Sequence, residues 1–332
     1  MIHHGGELSF LRQRYPDAPE PLVDLSTGIN PFPYPVPPIP ETAYTRLPEA
    51  VHIRALKKAA AAAYGARDAE LVAVAPGTQI LISSLPRLFP ARRVAIHSPT
   101  YGEFAPAWDA AGANVVEGAG TEVLEEGDVA ILCNPNNPDG RGLDPGQVLE
   151  LQARRARAGG CLIVDEAFAE FSEANRSVVP ALPRQGLIVL RSFGKAYGLA
   201  GLRLGFLIAE PEIATRVEKA LGPWPVSGIA IHAAVKALGD EAWRQETADR
   251  LARTGERLDS LLSSHGLEAV GGTSLFRLVR HDNAPAIAAA LGRAGILVRD
   301  FPGRSDWLRF GIPPDGPAWQ RLEAALAAAT SG

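Results

Sequence analysis

Between residues 71 and 209 the chain carries seven short, nearly unbroken apolar runs, at 71–75, 94–96, 114–116, 129–133, 161–164, 187–190 and 206–209. Stretches of helical pattern lie among them, at 79–89, 104–111 and 145–158. A strand that is apolar at every position, not at alternate ones, is one buried on both faces. Repeated strand-then-helix order therefore predicts an α/β domain whose mostly parallel sheet is flanked by helices on both sides.

The texture on either side of this block differs. Residues 1–45 are rich in Pro and Gly, with Pro31, Pro33, Pro35, Pro37, Pro38 and Pro40 in close succession. Proline removes backbone donors and disfavours helix, so this reads as an extended arm joining a small domain. An alanine-rich helix at 50–64, ended by Gly65, opens a large domain at 46–224. Residues 225–332 hold a long helical stretch interrupted near Gly239, strand candidates at 274–279, 296–299 and 307–310, and helices at 284–294 and 318–329. That pattern predicts a smaller α+β domain.

Composition narrows the function classes. With 332 residues, 21% charged and a net charge of −4, the chain has no basic excess suited to nucleic acid. No apolar run approaches a membrane span, and the N-terminus lacks the apolar core of a signal peptide, so a cytoplasmic location is expected. Cys133 and Cys161, the only cysteines, each sit in an apolar strand-like run. They read as buried reduced thiols, and no metal site is expected.

Within the large domain the polar residues gather where strands end. Lys195 follows the run at 187–190 and lies among small residues, in Ser192-Phe193-Gly194-Lys195-Ala196-Tyr197-Gly198. A lysine so placed suits an amine that forms a Schiff base with a buried carbonyl, with Ser192 and Arg203 near enough to hold a phosphate. Gly77, Thr78 and Gln79 stand where a strand gives way to a helix, a natural anion site. Asp165 ends the strand at 161–164, where a carboxylate could keep a pyridine nitrogen protonated. Tyr101 could stack on a planar ring, and the turn Asn134-Pro135-Asn136-Asn137-Pro138-Asp139-Gly140 could present an amide donor. Together these groups imply pyridoxal phosphate.

The ordered series PGT, PTY, NPNNPDG, VDEAF, SFGKAYGLAGLRLG and WLRFGIP resembles the fold-type-I pyridoxal phosphate enzymes. More narrowly it resembles the branch that contains histidinol-phosphate aminotransferases and the threonine-phosphate decarboxylases of cobalamin synthesis. The resemblance spans nearly the whole chain. It implies that Lys195 carries the Schiff base, Asp165 pairs with the pyridine nitrogen, Asn137 meets the phenolic oxygen and Tyr101 stacks on the ring. Thr78, Ser192 and Arg203 would hold the cofactor phosphate, and Arg309 the substrate carboxylate. Tyr44 would reach the cofactor phosphate of a neighbouring subunit, implying a homodimer with shared active sites.

Two features separate the branches. Aminotransferases of this group usually carry Tyr at the position of Phe168, and Phe cannot donate a hydrogen bond. The opening His3-His4-Gly5-Gly6 resembles the decarboxylase branch, where an N-terminal HGG contributes to the substrate phosphate site. Asp139 and Gln79 depart from the common transaminase pattern. The expected reaction is decarboxylation of L-threonine O-3-phosphate to aminopropanol phosphate, with His4, Gly5, Gly6, Asn30 and Arg309 anchoring substrate. The rivals are a histidinol-phosphate or related aminotransferase and, from another class, a cofactor-binding regulator or assembly protein without turnover.

Overall fold

The computed structural model describes residues 5–172, 177–314 and 316–330. Along the chain come helix α1 (Leu8–Arg14), strand β1 (Val23–Leu25), α2 (Thr42–Thr45), α3 (Ala50–Tyr64), β2 (Val72–Ala75), α4 (Thr78–Leu88), β3 (Arg93–His97) and α5 (Phe104–Asp109). Next are β4 (Asn114–Gly118), β5 (Val129–Cys133), α6 (Pro145–Arg157), β6 (Cys161–Asp165), β7 (Leu187–Ser192), α7 (Phe193–Ala196), β8 (Gly205–Ile208) and α8 (Pro211–Leu221). The chain continues through α9 (Gly228–Gly239), α10 (Glu241–Ser264), β9 (Ala269–Thr273), β10 (Phe276–Arg280), α11 (Ala284–Arg293), β11 (Ile296–Asp300), β12 (Trp307–Gly311) and α12 (Gly316–Thr330).

It divides into two compact units, a smaller one drawn from Met1–Phe32, Pro138–Gly140 and Glu246–Gly332, and a larger one from Pro33–Asn137 and Arg141–Gln245. These changeovers differ from 45/46 and 224/225. Tyr34 explains the shift, because its N–H donates to the Tyr197 carbonyl (2.9 Å) and its ring meets Trp243 edge-on at 5.2 Å. Both ends of the stretch are thereby packed into the larger unit.

The larger unit is built on a seven-stranded sheet in the order β2-β8-β7-β6-β5-β3-β4. Only β8 runs against its neighbours, pairing antiparallel with both β2 and β7. Alternate residues of β5 explain the apolar pattern. Ala130 and Leu132 pack into a core on one face with α3, α6 and α9, while Val129, Ile131 and Cys133 pack into a second core with α4, α5 and α8. Helix α6 shows local sequence logic at work. Pro145 opens it, and Asp144 and Gln147 cap each other reciprocally, an arrangement that stabilises a helix start by about 1 kcal/mol.

The smaller unit has a five-stranded sheet in the order β1-β11-β12-β10-β9. Strand β1 pairs parallel with β11, and the other pairings are antiparallel. Helices α10, α11 and α12 cover it through Leu258, Leu262, Ile287, Leu291, Trp319 and Leu322. The extended arm is therefore only part of the truth about residues 1–45. It includes helix α1, which buries Leu11, and strand β1, which buries Val23 and Leu25. Proline density hid both, because a three-residue strand gains its stability from its neighbour in the sheet and not from local propensity.

Candidate active site

Three adjacent strands bring the first group of residues together. Gly205 at the start of β8 pairs with Ala75 on one side and Ser192 on the other. The turn Pro76-Gly77 and the start of α4 therefore share one sheet edge with Ser192, which is buried. Gly77 has φ of 84° and precedes a helix that has no side-chain N-cap. A Cβ on Gly77 would lie 2.9 Å from Arg203 Nη2, so the guanidinium sits directly against this turn. A helix N-terminus carries partial positive charge and presents unsatisfied N–H groups. A guanidinium placed against it adds positive charge at the same point, which favours an anion there. Gly77, Thr78, Ser192 and Arg203 are thus brought together in an arrangement that could hold a phosphate.

Asp165 closes β6 and is buried. Its Oδ1 accepts from the Ala167 N–H at 2.9 Å. Burial raises its pKa to about 6, the Ala167 hydrogen bond and the Lys195 charge pulling the other way. A buried carboxylate of this kind is stabilised by a cationic or N–H partner in front of it. Lys195 lies on the single-turn helix α7, with Nζ 4.8 Å from the centre of the buried Phe168 ring. Lysine, carboxylate and apolar ring therefore occupy one site. Cys133, the β5 partner of Asp165, is a free thiol held protonated by burial, as is Cys161.

The loops after β3 and β5 are knitted together. Thr100 Oγ1 donates to Asn136 Oδ1 (2.6 Å), and Asn136 Nδ2 donates to the Pro99 carbonyl (2.9 Å). Arg141 reaches the same carbonyl at 3.1 Å, and its own carbonyl accepts from the Asn136 N–H. Asn137, half-buried, follows directly on this braced segment. Tyr101 donates through Oη to Gln79 Oε1 at 3.0 Å, and Gln79 Nε2 donates to Glu103 at 3.3 Å. Gln79 was expected among the anion-binding residues. Its side chain is instead engaged in orienting Tyr101, leaving only its backbone at the helix start. Asn136 was missed because in sequence it reads as a turn former, and Arg141 because the carbonyl it reaches lies on another loop.

In the smaller unit Arg309 is buried on β12, and its Nη2 donates to the Ser26 carbonyl at 2.9 Å. Ser26 Oγ donates to Asp24 (2.6 Å) and accepts from the Gly6 N–H (2.8 Å). Gly5 approaches so closely that a Cβ would lie 2.6 Å from the Ser26 carbonyl oxygen. Gly5, Gly6 and Arg309, at opposite ends of the sequence, therefore meet around Ser26. Asn30 is buried, and its Oδ1 accepts from the Phe32 N–H. His4 lies outside the described residues. Arg299, unsuspected from sequence, is the cross-strand partner of Arg309. Burial, then this second guanidinium, pushes the Arg309 pKa down to about 9, with Asp24 opposing. Two guanidiniums on one sheet face make a receptor for anions. A cavity of about 430 Å³ in the same unit is lined in part by Gly5, Ser26, Arg299, Phe301 and Trp307.

Tyr44 is 61% exposed on α2, and Leu47, Val51 and Trp224 of the same unit are exposed as well. Among the described residues, no helix is long and apolar enough to cross a membrane, and no group of three or more His, Cys, Asp or Glu is placed to hold a metal. The larger unit's donors fit pyridoxal phosphate: a cradle for its phosphate, a buried carboxylate for its ring nitrogen and a lysine for its aldehyde.

Comparison with known proteins agrees with this fit. The family model described as aminotransferase class I and II matches residues 40–326. The chain is 43% identical over 329 residues to a threonine-phosphate decarboxylase of Pseudomonas aeruginosa, covering 98% of this chain and 97% of that protein. It is 44% identical over 329 residues to a threonine-phosphate decarboxylase of Sinorhizobium sp, covering 98% of each. The crystal structure of histidinol-phosphate aminotransferase from Sinorhizobium meliloti in complex with pyridoxal-5'-phosphate superimposes with a TM-score of 0.85 at 22% identity, covering 99% of this chain and 95% of that one.

Proposed function

We propose that this chain, which belongs to the class I and II aminotransferase family, decarboxylates L-threonine O-3-phosphate with pyridoxal phosphate as its cofactor. The product is (R)-1-aminopropan-2-ol phosphate, the aminopropanol unit of cobalamin. One observation carries the choice of decarboxylation over transamination: two threonine-phosphate decarboxylases are 43% and 44% identical to this chain over nearly its whole length. Phe168 beside Lys195 supports the same choice, since the aminotransferase branch places a tyrosine hydroxyl there.

Pyridoxal phosphate, when bound, supplies an aldehyde that captures the substrate amine and a pyridinium that withdraws electrons from the substrate's α-carbon. The protein's part is binding, orientation and proton placement. Gly77, Thr78, Ser192 and Arg203 hold the cofactor phosphate, with the backbone of Gln79 at the same helix start. Asp165 would keep the proton on the pyridine nitrogen, Asn137 would donate to the phenolic oxygen, and Tyr101 would cover the ring. Lys195 would hold the cofactor through its side-chain amine, and the same amine would be the base or acid placed to hold or move a proton at the substrate's α-carbon. Arg309, with Arg299, anchors the substrate's anionic ends, assisted by His4, Gly5, Gly6 and Asn30. That anchoring would decide the reaction, because it selects which bond at the substrate's α-carbon is positioned to break. For decarboxylation this must be the bond to the carboxylate.

A homodimer belongs to the same proposal. The exposed apolar groups Tyr44, Leu47, Val51 and Trp224 suit burial against a second copy, with Tyr44 reaching the neighbour's cofactor phosphate. The reaction is tested by incubating the loaded protein with O-phosphothreonine. Release of carbon dioxide without any keto acid is the expected result. Turnover of histidinol phosphate that depends on 2-oxoglutarate, with none of O-phosphothreonine, would overturn it.

A further inference from the structure

Strand alternation divides the ends of β6 and β7 between two faces of the sheet. Asp165 and Ser192 point to the face covered by α4, whereas Glu166 and Arg191 belong to the face covered by α3. There Arg191 Nη1 donates to Glu166 Oε2 at 2.7 Å, and Nη2 meets Glu170 at 3.0 Å. The guanidinium also lies 4.5 Å over the ring of Tyr64. Glu166 is wholly buried, and the side chains of Arg191 and Glu170 are only 5% and 9% exposed. The second oxygen of Glu166 accepts from the Val178 N–H at 2.8 Å, and its backbone N–H donates to the Leu190 carbonyl at 2.9 Å. The cluster therefore joins the two strand ends that present Asp165 and Ser192, on the side away from the proposed cofactor. As a stabiliser it is weak, since well-packed apolar residues usually hold such a place as firmly as a buried ion pair.

We propose that Arg191 is a positioning residue for the proposed reaction, one that holds the end of β6 from behind and offsets the negative charge of Glu166, so that Asp165 stays ionised in front. The inference rests on the reading of Asp165 as the partner of the pyridine nitrogen. Asp165 responds to Lys195 on α7, to its neighbour Glu166 and to Arg191 on β7, and the Cys133 thiol on β5 in turn responds to Asp165. Glu166 raises its pKa and Arg191 lowers it. Around Arg191 stand Glu166, Glu170 and Tyr64, with Tyr197 and Arg244 beyond. Removing Arg191 takes away the cation that pairs with both Glu166 and Glu170 behind Asp165.

The test is the titration of the Asp165 carboxyl in the apoprotein, followed by its carbon-13 shift and assigned by its loss in Asp165→Asn. Arg191→Met should raise the midpoint by on the order of one pH unit, and Glu166→Gln should lower it by a similar amount. The double variant should return near the parent, and Arg191→Lys should keep the parent midpoint. Glu166→Gln retains an acceptor for Val178, so its sign decides the matter even if Arg191→Met does not fold. In the loaded protein, cofactor affinity should be lost at higher pH in Arg191→Met than in the parent as pH is lowered. Equal midpoints in all variants, or shifts of the same sign in Arg191→Met and Glu166→Gln, would overturn the inference. Because the carboxyl titration needs no cofactor, failure of the parent to bind pyridoxal phosphate would sink the functional reading while this result still stood or fell by itself.

Discussion

The ammonium of Lys195 lies 4.8 Å from the centre of the Phe168 ring, against an apolar face where a tyrosine would bring a hydroxyl. The substitution Phe168→Tyr adds one donor to a buried site and little volume. In the proposed site that donor would stabilise negative charge on the cofactor's phenolic oxygen. The proton shared between that oxygen and the Lys195 nitrogen should then leave at lower pH, by roughly one unit. A pH titration of the bound cofactor's visible absorbance reads this directly. A midpoint that stays put or rises would show that the hydroxyl does not reach the cofactor.

Asp165 sets function against stability. An unfolded aspartate titrates near 3.9, whereas burial lifts Asp165 in the folded chain to about 6. Between these values the folded state holds the proton more tightly, so this carboxyl's contribution falls as pH rises through the window. Above pH 6 the full cost of the buried charge remains, about 3 kcal/mol at 1.36 kcal/mol per unit. Asp165→Asn should therefore make the apoprotein more stable at pH 8, by up to about that amount, with less gain at pH 5. The same variant should bind pyridoxal phosphate at least a hundredfold more weakly. Urea unfolding of both apoproteins at the two pH values, with cofactor titration, checks both halves.

How much of this was legible in the chain depends on whether the cause was local. The large sheet could be read because strands such as β5, buried on both faces, must be apolar throughout, and the change from strand to helix at Gly77 could be read because Pro-Gly announces such a turn. Strand β1 could not be read, since Val23-Asp24-Leu25 is a strand only by virtue of pairing with Ile296, Leu297 and Val298. Arg299 went unnoticed for the same reason. Its importance comes from standing opposite Arg309, and register between distant strands leaves no local mark. The contact between Gln79 and Tyr101 could not be read either, since Tyr101 lies on another loop.

The pair Arg299 and Arg309 should show a trade-off. After burial itself, the Arg299 guanidinium adds to the cost of keeping the buried Arg309 charged. Arg299→Leu removes that repulsion, so the substrate-free protein should melt at a slightly higher temperature. A charge-assisted hydrogen bond contributes about 1.5–3 kcal/mol, so kcat/KM for O-phosphothreonine should fall roughly ten- to hundredfold. Arg309→Lys should fall at least as far, because an ammonium cannot reproduce the planar fork that reaches Ser26. Steady-state kinetics and calorimetry on the two variants check this. Unchanged kinetics in Arg299→Leu would remove it from the substrate site.

Gly5 offers the sharpest separation of substrate site from cofactor site. A Cβ there would meet the Ser26 carbonyl oxygen at 2.6 Å, well inside contact distance, and the opposing atom is backbone. Gly5→Val must therefore push the N-terminal segment off Ser26 and break the 2.8 Å bond from the Gly6 N–H to Ser26 Oγ. Ser26→Ala deletes that bond and the 2.6 Å bond that Ser26 Oγ donates to Asp24, each a loss of about 1 kcal/mol, and should raise KM for O-phosphothreonine about fivefold. Gly5→Val displaces the whole segment, including any phosphate contact it makes, and should raise KM well beyond that. Neither change touches Asp165, Lys195 or the Gly77 turn, so cofactor affinity and absorbance should match the parent. If Gly5→Val keeps the parent KM, the N-terminal glycines have no part in substrate binding, and the decarboxylase reading loses that support.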